Sequence, residues 1–300
     1  WLHAGEFGDS PVKRSRGRFG AEVGAPRLLD LFDRLDVPST WFVPGHTIDS
    51  FPEPCQRVVD AGHEIGHHGW SHTPPSEYES PEAERADIAR GIESIEDLTG
   101  SAPAGYRSPS WEFSPHTVSL LQEFGFEWSS SGMAREFEPY ELTDEHAPID
   151  EPYEVGDPVG ITEVPVSWQR DDYPALAFSG NRAFSDEAAV FDHWRRQFDW
   201  MYEHHEGGTY VLTLHPQVSG RSPRPGMLHE LIDHMARLMA EAGLLGLGYP
   251  EALGGAEGDL FHGIAMTEEL MKAASIGLLA GLFSHNIALP PIVALGTPEQ

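Results

Sequence analysis

The feature that most constrains this chain is an alternation, from about Val23 to Leu214, of short apolar stretches with longer ones of helical spacing. Leu28, Leu29, Leu31, Phe32 and Leu35 line one face of a helix expected over 23–35. Residues 37–44 read as a short buried strand closed by Pro44. A helix over 51–61 and a strand over 63–66 follow. Ser80 caps a long helix with Pro81 at its first position, and Gly100 ends it. A strand over 103–107, a helix capped by Ser114-Pro115 and running to Gly125, and a strand over 126–129 continue the order. Residues 132–185 break it: they are acidic and proline-rich, with one strand expected at 161–166, and read as long loops over a site. An aromatic-rich helix over 185–204 and a strand over 209–214 restore the alternation. A βαβα order of this kind makes a mostly parallel sheet covered by helices, either doubly wound or closed into a (β/α) barrel.

The residues with chemistry sit where strands end. In the stretch Gly62-His63-Glu64-Ile65-Gly66-His67-His68-Gly69-Trp70-Ser71-His72, His68 and His72 are spaced by four. One turn of helix would put both imidazoles on one face, a spacing that holds a divalent metal with two neutral nitrogens. With 16 histidines in the chain, some clustering arises by chance, so the spacing alone does not decide. Arg107 to Trp111, Ser129 to Ser131 and His215 follow later strands, and functional groups at several strand C-termini are the habit of a barrel.

Composition narrows the partners. With a net charge of −29 and only Lys13 and Lys272 as lysines, the surface repels nucleic acid and anionic membranes. No run approaches the roughly 18 apolar residues of a membrane span. The single cysteine, Cys55, excludes an internal disulfide. No signal peptide is visible, so a cytoplasmic location is expected, together with an upstream segment preceding Trp1.

Three stretches together resemble one family. Gly62 to His72 is similar to the second motif of the NodB-homology polysaccharide deacetylases, carbohydrate esterase family 4. Arg107-Ser108-Pro109-Ser110-Trp111 resembles the third motif, and Leu212-Thr213-Leu214-His215-Pro216 the last. Trp41-Phe42-Val43-Pro44-Gly45-His46, Trp111-Glu112-Phe113-Ser114 and Trp168-x-x-Asp171-Asp172 look most like the peptidoglycan-deacetylase and allantoinase-like branch. The resemblance covers roughly residues 1–235, within a domain expected over 1–237. It implies a distorted NodB-type (β/α) barrel and a metal-dependent hydrolase of C–N bonds, with an N-acetylated carbohydrate or a small amide or ureide as partner. Self-association with a second copy is compatible with it.

The resemblance also implies roles. His68, His72 and an aspartate would hold Zn2+ or a similar ion in an open site, polarising the amide carbonyl and activating water. His215 would be the general acid, oriented by Asp171 or Asp172. Arg107 would pair with a carboxylate or orient the site. Trp111 and Trp168 would wall the substrate pocket, while His46 lines it or serves structure. The first motif, an Asp-x-Asp on the first strand, is expected upstream of Trp1; Glu6 or Asp9 is a weaker substitute. An inactive fragment lacking that ligand is therefore one alternative, and an allantoinase- or imidase-like amidohydrolase is another.

The other residues read plainly. His63 would bond backbone around its turn, His67 would be a bystander, and His204-His205 a solvated helix end. Trp194, Phe198 and Trp200 would be core.

Past Leu238 acidic residues thin out. Residues 242–255, Thr267-Glu268-Glu269-Leu270 and 283–292 resemble the N-terminal domain of acyl-CoA dehydrogenases. That implies a short all-α fragment over 238–300, with apolar helices such as 276–282 short of partners. FAD binding needs later domains and is not expected, and acyl-CoA oxidoreduction is the weakest functional reading.

Overall fold

The computed structural model describes residues 10–145, 150–177 and 185–241. Its centre is a six-stranded sheet in the order β1-β2-β3-β4-β6-β5. The strands are β1 (Thr40–Val43), β2 (Glu64–His67), β3 (Gly105–Tyr106), β4 (Trp128–Ser129), β5 (Tyr140–Thr143) and β6 (Pro158–Glu163). All neighbouring pairs are parallel except the antiparallel hairpin of β5 with β6.

The helices are α1 (Pro11–Phe19), α2 (Ala25–Leu35), α3 (Gly45–Ser50), α4 (Pro52–Asp60), α5 (Pro81–Thr99), α6 (Thr117–Phe124), α7 (Asp172–Leu176), α8 (Glu187–His204), α9 (Pro216–Ser219) and α10 (Arg224–Glu241). A π-helical turn over Gly20–Gly24 joins α1 to α2. The helix expected from Val23 thus extends back to Pro11, through a polar stretch that gives no amphipathic signal. Ser80 caps α5 as expected, accepting from the Ala83 N–H, and Gly100 closes it in the left-handed region at φ 82°. At α6 the expectation slips: the helix starts at Thr117, while the Ser114 hydroxyl accepts from the His116 N–H at 3.0 Å in the preceding turn.

The core forms where helices meet the sheet. Leu28, Leu31 and Phe32 of α2 pack with Phe191 and Trp194 of α8 and with Leu228 and Leu231 of α10. Leu29, Val43, Ile65, Val58 and Ile95 fill the space between β1, β2, α4 and α5. Burial of such side chains stabilises by about 1.5–3 kcal/mol each.

Three expectations need correction. Residues 209–214 form no strand: Thr213 alone makes a bridge, parallel to Asp171, although Leu212 and Leu214 pack on the core. The alternation reported burial and not ladder pairing. The loop region 132–185 holds β5 and α7 besides β6, because Leu142 and Leu176 reach the core from between charged neighbours. Trp194 and Phe198 are buried, but Trp200 is 55% exposed, since it lies off the face that carries Phe191, Trp194, Phe198 and Met201. The expected boundary after residue 237 falls within α10. The apolar helices expected over 260–295, like Glu6 and Asp9, lie outside the described residues. No described helix is long and apolar enough to cross a membrane.

Candidate active site

β2 ends at His67, and the chain turns at once. His67 is fully buried, stacked on Tyr106 at 5.4 Å, with Nε2 3.0 Å from the Ile88 carbonyl. Burial pushes its pKa down to about 4. It is a neutral anchor between β2 and α5, and so more than the bystander expected. His63 behaves as expected, its Nδ1 accepting from the Ser39 N–H at 3.2 Å.

His68 and His72 meet, but not on a helix. Gly69 at φ 67° and His72 at φ 61° turn the backbone through the left-handed region, and the two rings come to 4.8 Å centroid to centroid at 78°. The interval of four is thus closed by a loop and not by a turn of helix. Asp87 of α5 fastens this loop, accepting from the N–H of Trp70 at 2.7 Å and of Ser71 at 3.1 Å. Nothing in the sequence marked Asp87, because the contact spans an intervening loop.

His68 Nδ1 lies 2.7 Å from the Arg107 carbonyl. A carbonyl only accepts, so Nδ1 carries the proton and Nε2 keeps its lone pair, the tautomer of a metal ligand. Burial lowers the His68 pKa to about 3 and drives that of His72 well below the usual range. Two neutral imidazoles, that of His68 oriented by the Arg107 carbonyl, suit a divalent ion, and a carboxylate or water would complete the four ligands of zinc.

Arg107 joins this half of the site to the other. Its guanidinium donates to the Ser130 carbonyl at 2.9 Å, the Ser130 hydroxyl at 2.6 Å and the Thr213 hydroxyl at 3.3 Å. It lies 4.3 Å from the Phe42 ring centroid. Burial lowers its pKa to about 10, opposed by the charges of Asp171 and Glu163. The expected carboxylate pair is not what holds it: among the described residues Arg107 forms no ion pair, and Ser130 takes that place. Glu163, fully buried at the end of β6, accepts from the N–H of Ser131 and, at 2.8 Å, of Gly132.

The other half is built around Asp172, which is fully buried at the start of α7. One oxygen accepts from His215 Nδ1 at 2.7 Å, while the other accepts from the His215 backbone N–H at 2.8 Å and from the Ser219 hydroxyl. Asp171 stands farther from the ring, at 3.5 Å, and caps α7 by accepting from the Tyr173 N–H at 2.7 Å. Of the two candidates, Asp172 is therefore the one bonded to His215. Burial lowers the His215 pKa, but the charge and hydrogen bond of Asp172, then the charge of Asp171, outweigh it and the net shift is upward. Burial raises Asp171 to about 6.

Ligand-type atoms of Asp171, Asp172 and His215 fall within 4.8 Å of one another and form a second grouping that a metal could use. His215 Nδ1 faces Asp172, whose other oxygen accepts from the His215 backbone N–H and the Ser219 hydroxyl, and Asp171 accepts from the Tyr173 N–H. This is the arrangement of an imidazole oriented by a carboxylate. The two neutral histidines fit a metal better.

Trp111 and Trp168 face each other at 4.4 Å between centroids and 42° between planes, with Trp168 48% exposed. Trp111 is reached through Ser110 at φ 60° and is itself at φ 55°. Two successive non-glycine residues in this region cost about 1–2 kcal/mol each, and such strain gathers at functional sites. His46 is placed differently from the tryptophans. Its N–H donates to the Trp70 carbonyl at 2.9 Å and its ring lies 5.1 Å from that of Trp70, so it braces the histidine loop.

Known proteins resemble this chain in sequence and in fold. The polysaccharide deacetylase family model matches residues 12–129, and the acyl-CoA dehydrogenase N-terminal domain model matches residues 225–300, overlapping α10. A peptidoglycan deacetylase from Helicobacter pylori is 39% identical over 253 residues, covering 78% of this chain and 85% of that protein. A crystal structure of a Mycobacterium smegmatis protein assigned to the polysaccharide deacetylases is 39% identical, covers 76% of this chain and 75% of its own, and superposes with a TM-score of 0.67. One from Pseudomonas aeruginosa, at 24% identity, covers 76% of this chain and 71% of its own with a TM-score of 0.63, and speaks to the fold alone. With a NodB-type (β/α) barrel and a 39% identical relative matched over most of its length, this chain belongs to the polysaccharide deacetylase family.

Proposed function

We propose that the chain removes acetyl groups from N-acetylated glycans, with the N-acetylglucosamine of peptidoglycan as substrate. The observation that carries this reading is the Asp172–His215 pair, joined through Thr213 and Arg107 to the two neutral histidines. His68 and His72 would hold a divalent ion, which when bound would supply Lewis-acid polarisation of the amide carbonyl and a water of lowered pKa.

The chain's own groups do the rest. Asp172 holds the proton on His215 Nδ1 and orients the ring. The raised pKa favours the protonated form of His215, whose Nε2 can donate to the departing amine. Arg107 fixes the His68 tautomer with its carbonyl and holds Ser130 with its guanidinium. Trp111 and Trp168 present an aromatic surface on which a sugar ring can lie. The Helicobacter pylori relative is described as a peptidoglycan deacetylase, which supports the choice of glycan.

The test is a direct comparison of substrates. Purified protein supplied with zinc is incubated with an N-acetylglucosamine oligomer and, separately, with a cyclic ureide. Release of free amine and acetate from the oligomer alone is the expected result. Ring opening of the ureide without attack on the oligomer would replace this reading with an amidohydrolase one.

A further inference from the structure

The bridge between Asp171 and Thr213 belongs to no longer ladder. Two backbone bonds make it: the Thr213 N–H donates to the Arg170 carbonyl at 2.8 Å, and the Asp172 N–H to the Thr213 carbonyl at 3.1 Å. This pairing sets Asp172 beside His215, two residues past Thr213. So short a pairing of two segments is marginal by itself, and side chains must hold it.

The Arg170 side chain reaches from one segment of the bridge to the other. It is 1% exposed, and its Cζ lies 4.7 Å from the Phe137 ring centroid and 5.5 Å from that of Tyr210, which precedes Thr213 by three residues. Nη2 donates to the Glu136 carbonyl at 2.8 Å. Phe137 and Tyr210 stack at 6.5 Å and 16°, and the Thr209 N–H donates to the Phe137 carbonyl at 2.7 Å. The Tyr210 hydroxyl is fixed in turn by the Trp194 carbonyl at 2.8 Å. The guanidinium therefore fastens residues 136–137 and Tyr210 to the segment that carries Asp171 and Asp172.

For packing alone, arginine is a poor choice at this place. Among the described residues its Nε and Nη1 have no hydrogen-bond partner. Its ion pair with Glu136 is 3.8 Å long, and the acid is 63% exposed. Replacing a buried charge by an apolar side chain of similar volume is often neutral or stabilising, so stability does not account for the guanidinium. What a planar group with fixed donors adds, set against two rings, is a single orientation.

We propose that Arg170 is a positioning residue for the acid: by clamping Phe137 and Tyr210 it sets the bridge to Thr213, and through it the bond between Asp172 and His215. The inference rests on the reading of His215 as the acid and concerns neither the glycan nor the metal. Trp168 lies in the same short turn but is held separately, by the bond from Trp194 Nε1 to the Gln169 carbonyl at 2.9 Å. The aromatic wall should therefore survive a change at Arg170.

The test is Arg170→Met, alone and combined with Asp172→Asn. Alone, it should keep Tm at or above the wild-type value while kcat for amine release from the N-acetylglucosamine oligomer falls about tenfold, ~1.4 kcal/mol of barrier. KM should stay within about twofold, because the wall is intact. Added to Asp172→Asn it should lower kcat no further, since the two positions act as one unit. The nitrogen NMR signals of the His215 ring, which report its bond to Asp172, should move in Arg170→Met. They should move less in Arg170→Lys, which keeps a cation and loses the planar fork. Ring signals unchanged in both variants overturn the inference, whether or not the protein acts on the glycan. A fall in Tm with kcat unchanged also overturns it, by making Arg170 a core residue, and so does the full loss of kcat repeated on top of Asp172→Asn. Wild-type protein that releases no amine, but whose ring signals move in Arg170→Met, overturns the glycan reading alone.

Discussion

Replacing Asp172 with Asn removes the charge beside His215 while keeping the volume. The carboxylate is fully buried and serves three donors: His215 Nδ1 at 2.7 Å, the His215 backbone N–H at 2.8 Å and the Ser219 hydroxyl. An amide offers one acceptor oxygen and turns an NH2 toward at least one of these donors. Hydrogen bonds to a charged group are worth about 1.5–3 kcal/mol each, so losing one and leaving its donor unpaired costs ~2–4 kcal/mol. For a domain of this size that lowers Tm by about 4–15 °C. If the amide nitrogen faces the ring, Nδ1 must accept and the proton moves to Nε2 of a neutral imidazole, the wrong state for donation. General acid catalysis contributes about 10²–10⁴ in rate, and most of it should go. The alkaline limb of the pH profile should move to lower pH, because the charge that raises the His215 pKa is gone.

Linkage gives an independent readout. A group with a raised folded pKa adds stability below its unfolded pKa and loses it as pH climbs through the folded value. For His215 that loss falls above the ordinary histidine range. Asp171, raised to about 6, likewise makes stability fall between the ordinary carboxylate pKa and there. The stability that His215 contributes should therefore decline as pH rises above the ordinary histidine value, and Asp172→Asn should remove that decline. Denaturant melts across pH, amine release and NMR titration of the His215 ring measure all three. A folded Asp172→Asn variant with wild-type rate and an unmoved His215 titration would refute the pairing, as would Asp171→Asn producing the effects assigned to Asp172.

Two further outcomes follow from the geometry. Asp87→Ala frees the N–H groups of Trp70 and Ser71 and should lower zinc affinity about 10–100-fold, as loss of supporting bonds does at metal sites, measured against a competing chelator; unchanged affinity would show that the loop holds itself. Trp168→Ala removes an aromatic that is 48% exposed, so it should weaken glycan binding by ~1 kcal/mol or more while leaving Tm within about 2 °C; a large fall in Tm would make Trp168 structural.

The sequence carried the alternating elements, the histidine pair and His215, because each depends on local spacing or on short motifs. It misread the means by which His68 and His72 meet, since a helical interval of four can also be met by a loop with Gly69 and His72 in the left-handed region. It could not separate Asp171 from Asp172. Adjacent residues point opposite ways, and only the bridge of Asp171 to Thr213 fixes which one faces the imidazole. Asp87 and Glu163 were invisible because their partners lie on other elements, and Ser130 stood in the stretch Ser129 to Ser131 singled out at a strand end but without its tie to Arg107. Trp200 was legible in principle: the helical period that buries Trp194 and Phe198 turns it outward. β5 stayed hidden because the acidic, proline-rich composition around Tyr140 and Leu142 masked a two-residue alternation.

The most direct test of the account is the metal dependence of acetate release from a purified bacterial wall glycan. Wild-type protein supplied with zinc should release acetate and free amine in equal amounts, stop when a chelator is added, and resume when zinc is restored. His68→Ala should be inactive under the same conditions while keeping its fold. Acetate release that survives both the chelator and His68→Ala would contradict a site centred on the two histidines.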